Sequence, residues 1–268
     1  MKSQRSALVQ LLPLGLVFCA VAAVVLFVEG DPGRLHLAQS WQPPGGERLL
    51  GSGDAGVDLS LLAAHATFRA LVLALAVACF GFVVGTSLGA SAGLAGGARE
   101  RWALRVCDLV QSFPTFLLAL AVLSAVRVPS RLHIGLVFCI SAWAPFARLA
   151  LAQTRSLREA QFVEAARALG ASRFRVVFGH VVPNLLGPVA VQIGTAAAGV
   201  VIGETALGFV GLGPPDGVSL GGLLEQGTLG MLRAPHVLLV GALTVLCVSG
   251  SLQLASEGLR RHITRDAG

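Results

Sequence analysis

Apolar runs of about 20 residues, separated by short stretches that carry most of the arginines, recur from one end of this chain to the other. A helix must be roughly that long to cross the ~30 Å hydrocarbon core of a bilayer. With charged residues at only 13% and a mean hydropathy of +0.77, the chain reads as an all-α integral membrane protein. Six spans are expected: Ala7 to Val28, Thr67 to Ala95, Val106 to Val126, Leu132 to Ala152, Leu185 to Leu207 and His236 to Ala255. The first run has 22 residues and would rise about 33 Å as a helix, too long for the ~7–15 apolar residues of a secretory signal peptide, the rival reading.

Six spans put both termini on one side of the membrane, and the basic residues say which. Lys2 and Arg5, then Arg99, Arg101 and Arg105, then Arg148, Arg155, Arg158, Arg167, Arg173 and Arg175, then Arg260, Arg261 and Arg265 fall on the terminus side. These are fourteen of the chain's 20 basic residues, so both termini are expected in the cytoplasm. A formal charge of +6 would suggest nucleic acid in a soluble protein, but here it follows membrane orientation. Lys2 is the sole lysine, so a G-x-x-x-x-G-K-[ST] phosphate loop cannot exist and any ATP must be bound by another subunit. The five cysteines fall in or beside apolar runs with no metal-ligand spacing.

Within the second span Gly81, Gly85, Gly89, Gly93 and Gly97 recur every fourth residue, a slowly winding groove along which another helix can approach backbone to backbone. The same span holds Gly85-Thr86-Ser87-Leu88-Gly89, which matches the G-x-S-x-G pattern of serine hydrolases. That pattern needs a strand, a sharp turn and then a helix, so an intramembrane hydrolase using Ser87 is the weaker reading; His133 and His236 lie near span ends, and His36, His65, His180 and His262 are expected in loops or tail. Pro114 and Pro145 are expected to kink the third and fourth spans. Glu29 to His65 reads as an extracytoplasmic loop, with tight Asp-capped turns in Gly51 to Ser60; Arg99 to Arg105 reads as a short basic loop and Gly208 to Pro235 as a Gly/Pro-rich one. Gln192 and Glu204, polar residues in the fifth span, are candidates for a translocation path.

The longest polar interruption is Glu164 to Pro183, on the side expected to be cytoplasmic. A helix from a Ser156 cap should end at Leu169, with Gly170 as the left-handed residue, and Ser172 should cap a second short helix lying at the membrane surface. Phe162, Ala165, Ala166 and Leu169 fall within an arc of about 100°, while Glu164 and Arg167 point away as an i,i+3 pair. A lipid-resting helix or a simple basic anchor would explain part of this, but two alanines on the apolar arc favour close approach to a shaped protein surface.

Glu164-Ala165-Ala166, then Gly170, then the His180 to Pro183 ending, resemble the EAA loop in permease subunits of bacterial ABC importers. Ser141 to Ala150, Thr154 to Ser172, Val181 to Val189, Gly203 to Gly213 and Ser256 to Arg261 resemble the dipeptide/oligopeptide/nickel branch, and within it the DppC/OppC type, from about Leu49 onward. The resemblance implies a type I importer (MetI-like) permease fold in the bacterial cytoplasmic membrane. Residues 1–65 would form a first span and periplasmic loop, and 66–268 a five-span core with its coupling loop at about 154–184. It implies a non-catalytic subunit that binds no cofactor or metal. Its partners would be a second, DppB-like permease, an extracytoplasmic substrate-binding protein and two ABC ATPase subunits that use ATP and Mg. Short peptides, with nickel chelates or peptide-like solutes as variants, would be the cargo, and an ABC permease for another solute class is the alternative. Glu164, Ala165, Ala166, Gly170, Phe162, Leu169 and Arg167 would couple to the ATPase. Gly51 to Asp58 departs from the family's G-T-D-x-x-G-R-D by lacking the first Asp and the Arg, and Gly213 to Gly222 lacks an expected Trp.

Overall fold

A computed structural model describes residues 2–28, 30–46 and 48–266; the side chains of residues 2–9, 11, 262 and 264–266 lie outside the described set, and with them the Lys2, Arg5, His262 and Arg265 side chains. Among the described residues the regular structure is helical, apart from one isolated antiparallel bridge between Ser52 and Asp58. The helices are α1 (Lys2–Phe27), α2 (Leu59–Ala95), α3 (Gly97–Ser112), α4 (Thr115–Ser124), α5 (Arg131–Leu157), α6 (Gln161–Ala168), α7 (Arg173–Val176), α8 (Val182–Leu207), α9 (Leu220–Leu229) and α10 (Pro235–Asp266).

The pairing of α2 with α5 forms the axis of the bundle. A β-carbon at Gly81 would meet Ala142 O at 2.7 Å, and one at Gly85 or Gly89 would collide with the carbonyls of Trp143 and Ala147. At Gly93 it would press on Thr154 Cβ at 2.8 Å, so the two backbones lie closer than any side chain between them would allow. Gly97 keeps the four-residue spacing but not the role: it lies beyond α2, at φ +59 with open space around it. Phe82 and Phe146 reinforce the seam edge to face, with centroids 6.3 Å apart. α8 and α10 pack together, α8 also lies against α2, and α1 lies against α10 and α2.

Several boundaries differ from the sequence reading. α2 begins at Leu59, eight residues before Thr67, because the Asp58 carboxylate accepts hydrogen bonds from Ser60 N at 2.8 Å and Leu61 N at 3.4 Å and caps the helix there. The helix is therefore continuous through residues 65 and 66, and His65 is helical. The basic residues Arg99, Arg101 and Arg105 belong to α3, not to a loop: Gly96 and Gly97, at φ +64 and +59, turn the chain at once, and Glu100 sits in the new helix's first turn. Pro114 breaks the third apolar run as expected. It forces Phe113 into an extended conformation, and α3 and α4 meet at 64°. α5 runs through Pro145 without a break, and the stretch expected to be a loop after Gly208 contains α9, capped by Ser219.

Four helical stretches are long and apolar enough to cross a membrane: Leu59–Ala95, Arg131–Leu157, Arg173–Leu212 and Pro235–Arg261. Counting the bent α3–α4 pair as one span makes five, and the apolar part of α1, Leu12–Phe27, falls short of that length among the described residues.

Candidate functional site

The polar stretch singled out by sequence folds into α6, one turn and α7. Ser156 does not cap α6, because α5 continues to Leu157 and the Ser156 hydroxyl donates to Gln153 O at 2.8 Å within it. α6 ends as expected at Gly170, whose φ is +79. Gly170 N donates to Arg167 O at 2.9 Å and Ala171 N to Ala166 O at 3.0 Å, the paired bonds of a Schellman turn. Ser172 then accepts from Arg175 N at 3.3 Å and opens α7. This second helix is not a separate surface element: through a π-helical turn at Val177–Val181 it runs into α8, so α6 is one short turn from a 40-residue helical stretch, Arg173–Leu212.

The expected apolar arc is divided. Val163 and Ala166 face inward into a small core shared with Ala90, Leu94, Phe146 and Val177, and α6 packs chiefly on α7 and the Val177–Val181 turn. Phe162 and Leu169, 39% and 88% exposed, and Ala165 face outward, and with Ala171, Arg175, His180 and the buried Ala166 at its floor they line an open cavity of about 410 Å³. Glu164 and Arg167 are exposed, and the expected pair between them is not among the ion pairs of the described residues. Val163, the deepest contact of α6, was not singled out by sequence, although it stands three residues before Ala166 on the same face.

An acid clasp joins α3 to the end of α5, just before α6 in the chain. Glu100 on α3, its side chain only 11% exposed, pairs with Arg155 and, at 3.6 Å, with Arg158, tying the start of α3 to the end of α5; Asp108 pairs with Arg148 between the same two helices. At the opposite end of the bundle Asp216 accepts from Arg69 at 2.7 Å and from Arg131 at 3.0 Å, and Arg131 also donates to Val218 O at 2.8 Å. Partial burial alone would raise the Asp216 carboxyl, but the Arg131 hydrogen bond, the Val218 N–H and the two nearby guanidinium charges outweigh it and hold the group below its ordinary value.

The two path candidates stand apart. Gln192 is half-buried, and Glu204, twelve residues further along α8 and so about 18 Å away, is buried with Oε2 lacking a hydrogen-bond partner. Beside it the Thr205 hydroxyl is buried and unpartnered too. Ser87 sits in the middle of α2 and donates to Val83 O at 2.7 Å, with no strand or sharp turn to present it as a nucleophile. Among the described residues no group of three or more His, Cys, Asp or Glu side chains could hold a metal ion.

Residues 85–264 match the family described as binding-protein-dependent transport system inner membrane component. The oligopeptide transport system permease protein OppC of Mycobacterium tuberculosis is 30% identical over 96% of this chain and 89% of its own length. A putative peptide transport system permease of Brucella suis is 30% identical over 96% of this chain and 86% of its own, and the glutathione transport system permease GsiD of Pectobacterium atrosepticum is 30% identical over 70% and 64%. Among solved structures, a chain of the MetNI methionine ABC transporter in an inward-facing conformation superposes with a TM-score of 0.61 at 19% identity, covering 77% of this chain and 96% of that one, which makes the fold MetI-like. The chain belongs to the binding-protein-dependent transport system inner membrane components: it is the non-catalytic membrane permease of an ABC importer.

Proposed function

We propose that this permease forms half of the translocation path for short peptides, paired with a second, DppB-like permease, and that α6 is the helix through which two cytoplasmic ATPase subunits drive it. As an inner membrane component that depends on a binding protein, it works with that protein and with an ATPase; ATP and Mg are used by the ATPase subunits. The peptide cargo is supported by relatives named for oligopeptide and peptide transport along nearly the whole chain, and nickel chelates or other peptide-like solutes are the neighbouring alternative.

The observation that carries the coupling role is the outward face of α6. Phe162, Ala165 and Leu169 form an exposed apolar surface, flanked by Glu164 and Arg167, on a helix held from behind by Val163 and Ala166 and locked at Gly170. A short helix fixed on both sides and joined by one turn to a long span passes a rigid-body displacement into that span. In this reading there are six spans with both termini cytoplasmic, α1 being the first and the bent α3–α4 pair the third. The segment before α2 supplies the first span and a periplasmic loop, Gly81, Gly85, Gly89 and Gly93 hold the spans in register, and Gln192 and Glu204 contribute to the path.

Reconstitution of the complete importer with its binding protein and labelled di- to pentapeptides tests the cargo: peptide-stimulated ATP hydrolysis with peptide accumulation is expected, and accumulation of a nickel chelate or a sugar without peptide uptake would overturn it. A cysteine at Ala165 should form a disulfide with a cysteine placed on the membrane-facing surface of the ATPase subunit, and failure to cross-link with any position there would remove α6 as the docking helix.

A further inference from the structure

Two cavities meet beside α6. The larger, about 800 Å³, opens between the end of α2, the start of α3 and the α6–α7 turn, and Arg99, Arg158, Arg167 and Arg173 line it together with the tilted pair Phe174 and Phe178, whose centroids are 4.6 Å apart. The smaller, about 400 Å³, is an apolar slot between α2, α3 and α5 with Leu88, Ala92, Ala103, Val106 and Trp143 in its walls. They share Ser91, Ala95 and Arg99, so the basic mouth continues into the apolar slot. Of the four arginines only Arg158 is in an ion pair, with Glu100 and Glu159; Arg99, Arg167 and Arg173 have no ion-pair partner among the described residues.

Several guanidinium groups around one cavity suit the oxygens of a phosphate, which each can meet with two N–H donors. A free phosphate would leave the adjoining slot empty, whereas an amphiphile fills both. The position fits as well: the cavities lie at the end of apolar spans, at the depth where headgroups meet acyl chains, and Arg99 can run its methylenes along the slot while its charged end faces the mouth. We propose that the two cavities form one site for an anionic phospholipid, its phosphate among Arg99, Arg158 and Arg173 and an acyl chain in the slot between α2, α3 and α5. A lipid held there bridges the α2–α3 corner to the α6–α7 turn and makes the position of α6 sensitive to the charge of the surrounding leaflet.

The proposal rests on the spans crossing a membrane, not on what α6 docks against, so its test reads lipid contact and not transport. The complete importer is placed in nanodiscs containing phosphatidylglycerol or phosphatidylcholine with a photoactivatable group on the acyl chain, and labelled peptides of this chain are mapped by mass spectrometry. Phosphatidylglycerol should label the α2, α3 and α5 walls of the slot. Labelling should fall about fivefold for Arg99→Gln or Arg173→Gln alone and about 25-fold for both. Ala103→Phe, which fills the slot and leaves the arginines in place, should also abolish it. Equal labelling by phosphatidylcholine, or none at the slot, would overturn the proposal. Insensitivity to the exposed arginine variants, which keep the fold even if Ala103→Phe does not, would do the same. Phosphate binding that depends on Arg99 and Arg173 and survives Ala103→Phe, without labelling of the slot by either lipid, would overturn it in favour of a free-anion site.

Discussion

The two ends of the bundle use the same device, one acid gripping two arginines, and finish it differently. At the Asp216 end the clasp joins α2, α5 and the segment before α9, and the loop preceding α2 is tied down in detail: Arg48 donates to Gly56 O at 2.6 Å and to Gln39 Oε1 at 2.5 Å, Ser52 bridges Gln42 N and Gln39 O, and Trp41 packs on Gly230. At the Glu100 end the acid is the more buried, 11% against 43%, yet around it lie unpaired arginines, an open basic cavity and the bare face of Phe162, Ala165 and Leu169. One end closes over most of its contacts, although Arg131 Nε, Gln226 Oε1 and His236 Nε2 are buried there without hydrogen-bond partners. The other holds a rigid frame behind a surface that is left for other molecules.

The comparison breaks first if the shared axis is removed. Gly89→Leu would drive a side chain into Ala147 O and separate α2 from α5, at a cost of about 3 kcal/mol or more, seen as loss of a monodisperse folded protein; Gly199→Ala, with open space around it, should stay within about 0.5 kcal/mol. Next in size is Glu100→Gln, which leaves Arg155 and Arg158 facing each other. Because those arginines are about 50% and 34% exposed the cost should be about 2 kcal/mol, below the ~3–5 of a fully buried pair, read as a lowered Tm in detergent. Asp216→Asn should cost less, about 1 kcal/mol, since all three partners are about a third exposed.

That last variant also carries a sign. The Asp216 carboxyl is held below its ordinary value, so its contribution is fully present above the unfolded-state value and is lost as pH falls through the folded one. Thermal unfolding of the wild type and Asp216→Asn should therefore differ at neutral pH and converge in acid; a difference that grows toward low pH would refute the clasp. The smallest stability effect belongs to the unfinished end. Leu169→Ser, at an 88% exposed position, should change Tm by less than about 0.5 kcal/mol equivalent while lowering transport-coupled ATP hydrolysis in the reconstituted importer. Unchanged coupling there would mean that the bare face is not where the ATPase seats.

The features legible in sequence are those settled within a few residues. Gly170 ends α6 because only a left-handed residue makes the Schellman bonds, Ser172 caps because its side chain reaches the nearest free N–H group, and Pro114 breaks the third run because it constrains Phe113. The same local rules misplace starts where two signals compete: Ser156 has the chemistry of a cap, but α5 already runs through it and its hydroxyl is satisfied by Gln153 O. The clasps escape such a reading. Glu100 lies 55 residues from Arg155, and Asp216 lies 147 from Arg69 and 85 from Arg131, and nothing nearby in the chain marks them as partners.

By itself the sequence determined that this is a chain of membrane helices with a glycine seam, a capped polar interruption and the motifs of an importer permease, because periodicity, turn chemistry and spacing are local properties. Only the tertiary structure decided which side of α6 is free. An arc of apolar residues on a short helix has no inside or outside until α7 and the Val177–Val181 turn pack against it, burying Val163 and Ala166 in a shared core and leaving Phe162, Ala165 and Leu169 exposed.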